Sequence, residues 1–161
     1  MQTEEWGPGL WHSLHCITFN SPNYINKNKR KTYKEWLILT RKTLPCYYCR
    51  CSFKIFMYFL PIDEFIDTRE GFIYWMFSIH NMVNRKLRHP IFELTQVLHI
   101  YMNIASQCTK NRTNIKNIEQ IINQNYFQRM QAYEQKLLYV LNEFNWDFDH
   151  LYYSIFGNDE C

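Results

Sequence analysis

Residues 43–61 read TLPCYYCRCSFKIFMYFLP, and this stretch decides the fold. Pro45 and Pro61 bracket an apolar run that opens on Cys46-Tyr47-Tyr48-Cys49. The residue before a proline avoids the helical region, so Pro45 ends one helix and Pro61 closes the next. The spacing predicts a helix from about residue 46 to 59, with the first cysteine at its N-terminus. Unpaired N–H groups at a helix start stabilise a thiolate, making it a better nucleophile and leaving group. A two-residue spacer keeps both sulfurs on one side of the first turn, within reach of a reversible disulfide. That is dithiol–disulfide chemistry.

Helical texture continues on both sides. A helix over about residues 32–43 gathers Tyr33, Trp36, Leu37 and Thr40 on one face. An earlier one starts after Pro8 and carries Leu10, Trp11, Leu14, His15, Thr18 and Phe19 at helical spacing. Between them, residues 20–31, with Pro22 and the charges Lys27, Lys29, Arg30 and Lys31, read as a solvated loop. Downstream, Phe72, Trp75, Met76, Ile79, Val83 and Leu87 form the apolar stripe of a long helix over 69–87. Pro90 ends it, and a shorter helix follows from 91 or 92 to 106. Beyond Cys108 the segment 109–125 is rich in Asn and Gln, 126–144 is amphipathic, and 146–161 mixes aromatics with acids. The chain therefore reads as all-α, with residues 1–106 as a compact unit and 107–161 as an appended helical region.

Composition sets the outer bounds. With 161 residues the chain makes one domain of ordinary size, and 47% hydrophobic against 20% charged residues argues for a globular core. A net charge of +3 is too mild to imply nucleic acid. Four glycines and no GxGxxG or P-loop string disfavour a phosphate-cradling loop. No apolar run reaches the roughly 18 residues of a membrane span. The start, MQTEEWGPGLW, lacks the basic region and hydrophobic core of a secretion signal. A reducing compartment is the expectation, yet the chain carries Cys16, Cys46, Cys49, Cys51, Cys108 and Cys161. In such a compartment, clustered cysteines read as metal-binding or redox-catalytic.

Two readings of the cysteines stay open at this level. Zinc could recruit Cys46, Cys49 and Cys51 with His15 or His80, in a non-enzymatic binding or virion-assembly module. Structural zinc sites usually supply two separated pairs, however, and there is no second CxxC. The redox reading needs somewhere to send electrons. A planar aromatic cofactor would suit Trp11 and His15, four apart on the first helix, and His80, Asn81 and Asn84 on the fourth.

Three blocks together resemble a known family. They are Trp6-Gly7-Pro8 with Trp11 and Leu14-His15; Leu44-Pro45-Cys46-Tyr47-Tyr48-Cys49; and Trp75 followed by His80-Asn81-Met82-Val83-Asn84-Arg85-Lys86-Leu87, completed by Pro90 and Phe92. In order and interval they look like the Erv/ALR FAD-linked sulfhydryl oxidases, particularly the short versions of large DNA viruses. The resemblance covers residues 6 to 101. It implies a compact four-helix bundle plus a short fifth helix, an FAD cofactor and a homodimer. Cys49 would be the sulfur nearest the flavin and Cys46 the one attacked by incoming thiols. Gly7, Trp11, His15 and Cys49 would border the flavin region. His80, Asn81, Val83, Asn84, Lys86, Leu87, Arg88 and Phe92 would line the remainder of the FAD site, with Tyr101 where relatives often keep a Trp. The implied partners are a protein dithiol, such as a viral thioredoxin-like or structural protein, and molecular oxygen. The implied location is the host cytoplasm or the virion. Cellular relatives hold a structural disulfide where this chain has Phe77 and Leu94. Arg88-His89 replaces a common Gly-Lys. The family often adds a mobile shuttle cysteine pair; here Cys161 is the mobile candidate, paired with Cys108 or with another chain. Cys51 reads as a neighbour of the active pair and Cys16 as a buried residue.

Overall fold

The computed structural model describes residues 2–106 and 114–161. Eight α-helices follow in order: α1 Thr3–Phe19, α2 Lys27–Thr43, α3 Tyr47–Phe59, α4 Arg69–Leu87, α5 Leu94–Ser106, α6 Ile115–Asn125, α7 Phe127–Glu143 and α8 Phe148–Phe156, with a short 3-10 turn at Ile62–Glu64. Among the described residues there is no sheet; one isolated bridge joins Tyr24 to Thr68. The chain is all-α, as its periodicity requires.

The helix ends follow from named caps. Asn26 accepts a hydrogen bond from the Lys29 amide at 3.0 Å and starts α2. The lysine- and arginine-rich stretch from Lys27 is therefore the first turns of a helix and not a loop. Asn26 supplies the cap and the charges stay in water. Thr68 caps α4 through the Gly71 amide, and Asp147 caps α8 through the His150 amide. α1 begins at Thr3, ahead of the expected start, and carries Pro8 inside it. Pro8 donates no amide hydrogen bond within the helix, and Trp6, in the same stretch, packs against the core. α4 ends at Arg88, whose φ of 57° is the left-handed conformation that a glycine adopts without strain.

Trp75 is the centre of the core: it is fully buried and its Nε1 donates to the Leu60 carbonyl at 2.8 Å. Around it, α1 packs on α4 and α5, and α3 lies between α2 and α4. Ile118, Ile122, Met130, Leu137, Leu141 and Leu151 from the last three helices join the same buried cluster. Tyr126 ties them to the start of α4, its hydroxyl meeting Thr68 Oγ1 and Asp67 Oδ1, each at 2.8 Å. α8 covers α3, with Phe148 edge-on to Phe56. The consequence for the site is that α3 is held on both flanks.

Candidate active site

Cys46 is the N-cap of α3 and is bonded to Cys49, with Cα atoms 5.1 Å apart. Its sulfur accepts from the Cys49 amide at 3.2 Å, so the helix start is directed at this sulfur. Both cysteines are half-buried. Cys49 lines a cavity of about 470 Å³, and Cys46 is not among the residues that do. Of the pair, Cys49 thus belongs to the cavity lining and Cys46 does not.

The opposite wall is built from α1, α4 and α5. Trp11 stacks on His80 with ring centroids 4.0 Å apart and planes 8° from parallel. His15 Nε2 lies 3.0 Å from His80 Nδ1, and Tyr101 stacks on His15 at 4.7 Å. Burial, and then the charges of His80 and His12, lower the His15 pKa to about 3. Burial lowers that of His80 to about 4. Both rings are neutral near pH 7. Lys86 reaches from α4 to α3, donating to Ser52 Oγ at 2.8 Å and to the Tyr48 carbonyl at 3.1 Å. Burial lowers its pKa to about 8, against a smaller upward pull from Asp149. This lysine braces the turn that carries the disulfide.

Of the residues singled out from sequence, Gly7, Trp11, His15, Cys49, His80, Val83, Asn84, Lys86, Leu87, Phe92 and Tyr101 line this cavity. Asn81 and Arg88 do not. The Asn81 side chain makes two 3.0 Å hydrogen bonds with the Phe92 backbone, which sets the position of Phe92 against His80. Arg88 is exposed at the end of α4. The cavity also takes residues that sequence reasoning missed: His12, Arg41, Ser52 and Phe53. Ser52 and Phe53 follow Cys49 by three and four residues, so helical spacing could have found them. Arg41 leaves no such signal.

The remaining cysteines depart from expectation. Cys161 is bonded to Cys51, with Cα atoms 4.8 Å apart and a sequence separation of 110. Cys51 is thus a partner in a second disulfide and not a bystander. Folding of α8 onto α3 brings the chain end back to it. Cys108 lies outside the described residues. Cys16 is half-buried rather than buried, a free thiol with Sγ 3.7 Å from His12 Nε2. Among the described residues no three His, Cys, Asp or Glu groups converge as metal ligands.

The class that the fold and site define is a helical bundle with a disulfide at a helix start beside an imidazole- and indole-rich cavity, an arrangement consistent with thiol–disulfide exchange. The chain belongs to the Erv1 / Alr family, whose model matches residues 8–103. A FAD-linked sulfhydryl oxidase of African swine fever virus is 29% identical over 96 residues, 60% of this chain and 79% of that protein. A FAD-linked sulfhydryl oxidase of Oryza sativa is 30% identical over 58% of this chain and 47% of its own length. A probable FAD-linked sulfhydryl oxidase of Acanthamoeba polyphaga mimivirus is 29% identical over 52% of this chain and 59% of its own.

Proposed function

We propose that this chain is an FAD-linked thiol oxidase that forms disulfides in protein dithiols. The observation that carries the reading is the division of the disulfide-bonded Cys46–Cys49 pair, with Cys49 in the cavity lining and Cys46 outside it. The cavity suits the cofactor that the family implies. Its volume lies in the range of small-molecule sites, roughly 300–1,000 Å³. His15 Nδ1, Asn84 Nδ2 and Trp6 Nε1 are buried on its wall without a hydrogen-bond partner among the described residues, and buried polar atoms are ordinarily satisfied. Trp11, His15, His80, Asn84, Lys86 and Tyr101 would hold FAD there. The chemistry FAD supplies when bound is acceptance of two electrons from the dithiol and their delivery to oxygen, giving hydrogen peroxide.

The residues of the chain do the rest. A substrate thiolate attacks Cys46, forming a mixed disulfide and releasing the Cys49 sulfur as a thiolate on the cavity wall. The second substrate thiolate attacks its own sulfur in that mixed disulfide, closing the substrate disulfide and expelling Cys46 as a thiolate. The Cys49 amide and the start of α3 stabilise the charge on Cys46 at that moment. Neutral His15 and His80 offer hydrogen bonds without bringing charge into the cavity. Residues 1–106 form the oxidase domain in this reading, and 107–161 an appended helical region. The protein works as a homodimer on a viral protein dithiol in the host cytoplasm or virion; the African swine fever virus and mimivirus relatives support that setting.

The test is the visible spectrum of the purified protein, followed by dithiothreitol under air. Flavin bands that bleach and recover while oxygen is consumed are the expected result. A colourless, folded protein overturns the proposal.

A further inference from the structure

The second disulfide stands apart from the first. Cys51 follows Cys49 by two residues, and side chains so spaced leave a helix on different faces. Cys51 is also only 2% exposed. Attack on Cys161 would release a Cys51 thiolate into the apolar core, on the wrong face to reach Cys49. The geometry does not suit a relay.

What this disulfide does hold is the tail. Cys161 offers its backbone carbonyl to Arg41 Nη1. Arg41 lies in the last turn of α2, is buried, and is one of the residues that line the cavity. Next to it, Lys54 of α3 donates to the Glu160 carbonyl at 3.1 Å and to the Tyr152 hydroxyl at 2.6 Å. The Tyr152 hydroxyl in turn donates to the Asp159 carbonyl at 3.0 Å. Three consecutive carbonyls, at 159, 160 and 161, are therefore each held by a side chain, and the last residue is held covalently as well. A buried guanidinium that loses an acceptor is costly to leave in place, because burial disfavours its charge. Without the tail, Arg41 turns toward water and that part of the wall opens.

We propose that residues 159–161 form a strap, locked by Cys51–Cys161, that positions Arg41 in the cavity wall and thereby sets how long a dinucleotide cofactor is retained. Arg41 and Cys161 are positioning residues, not participants in thiol exchange. The inference rests on the FAD reading above.

The experiment measures flavin release from the holoprotein, as the rise of free-flavin fluorescence after dilution, for wild type, Cys161→Ser, Arg41→Gln and the double variant. Release about tenfold faster in each single variant is expected. The double variant should be no faster than the faster single one, because both changes break the same linkage. Release within twofold of wild type in either single variant overturns the proposal, and so does a double variant with multiplied effects. A lower melting temperature with unchanged release also overturns it, since that is what a purely structural staple would give. Should Cys161→Ser fail to fold, Arg41→Gln, which keeps the disulfide, decides alone by the same twofold criterion. A wild-type protein without flavin sinks the FAD reading and the strap together. A yellow wild type with unchanged variants sinks only the strap.

Discussion

His15 Nε2 stands 3.0 Å from His80 Nδ1 where α1 packs on α4, so the two imidazoles share a single proton across that contact. One ring donates and the other accepts. A second proton in the contact would make one ring an imidazolium with its N–H facing the other's N–H, and burial disfavours that charge, which agrees with the lowering of both pKa values.

That relationship fixes a pH dependence. In the unfolded chain each ring titrates near 6.5, while in the fold His15 and His80 titrate near 3 and 4. As pH falls below about 6.5 the unfolded state takes up protons that the folded state refuses, so stability declines. The decline continues until the pH reaches the folded values. The slope is at most about 1.4 kcal/mol per pH unit for each histidine. The melting temperature should be lower at pH 5 than at pH 7, and His80→Gln should flatten the difference. Equal melting temperatures for the wild type would contradict the assignment.

Cys46→Ser and Cys49→Ser should each lower oxygen consumption with dithiothreitol at least about a hundredfold, since covalent exchange needs both sulfurs. Flavin content should stay at the wild-type level in Cys46→Ser, whose side chain is outside the cavity lining. Sustained turnover in either variant would move the chemistry away from α3.

Gly71 faces a different constraint. A Cβ there would overlap the Phe65 carbonyl oxygen and stand 2.8 Å from Cζ of Tyr126. The carbonyl cannot move without disturbing the start of α4, so Gly71→Ala should destabilise by about 3 kcal/mol, at the upper end of overpacking effects. A urea unfolding midpoint unchanged from wild type would show that the two segments are not in contact.

Asn81→Ala removes both hydrogen bonds to the Phe92 backbone. The expected loss is about 1–3 kcal/mol, the net worth of two part-buried hydrogen bonds. Asn81→Asp keeps the acceptor and loses the donor, and should fall between the two in thermal denaturation. If Asn81→Ala melts like the wild type, water already satisfies that backbone.

Local patterns carried most of the bundle into view. The stripe from Phe72 to Leu87 marks α4 at its observed limits, Arg69 and Leu87. Trp11 with His15, and His80 with Asn84, announce their shared faces by i, i+4 spacing alone. The start of α2 was hidden because four basic residues look like a solvated loop, although Asn26 was a readable cap. The role of Asn81 could not be read from its spacing. Its neighbours line the cavity, whereas its amide is engaged by a backbone eleven residues on. Arg41 and the Cys51–Cys161 pair were beyond local reasoning altogether, since a separation of 110 positions leaves no periodicity to follow.

That long interval bears on the order of events during synthesis. Every residue found on the cavity wall has been made by Tyr101, well before Cys161 reaches the growing chain. All the residues of the pocket are therefore in place before the covalent closure can form. Once closed, the chain between 51 and 161 is topologically a ring. A single peptide-bond cut within it leaves one molecule, which separates into two fragments only when the closing sulfur–sulfur bond is reduced.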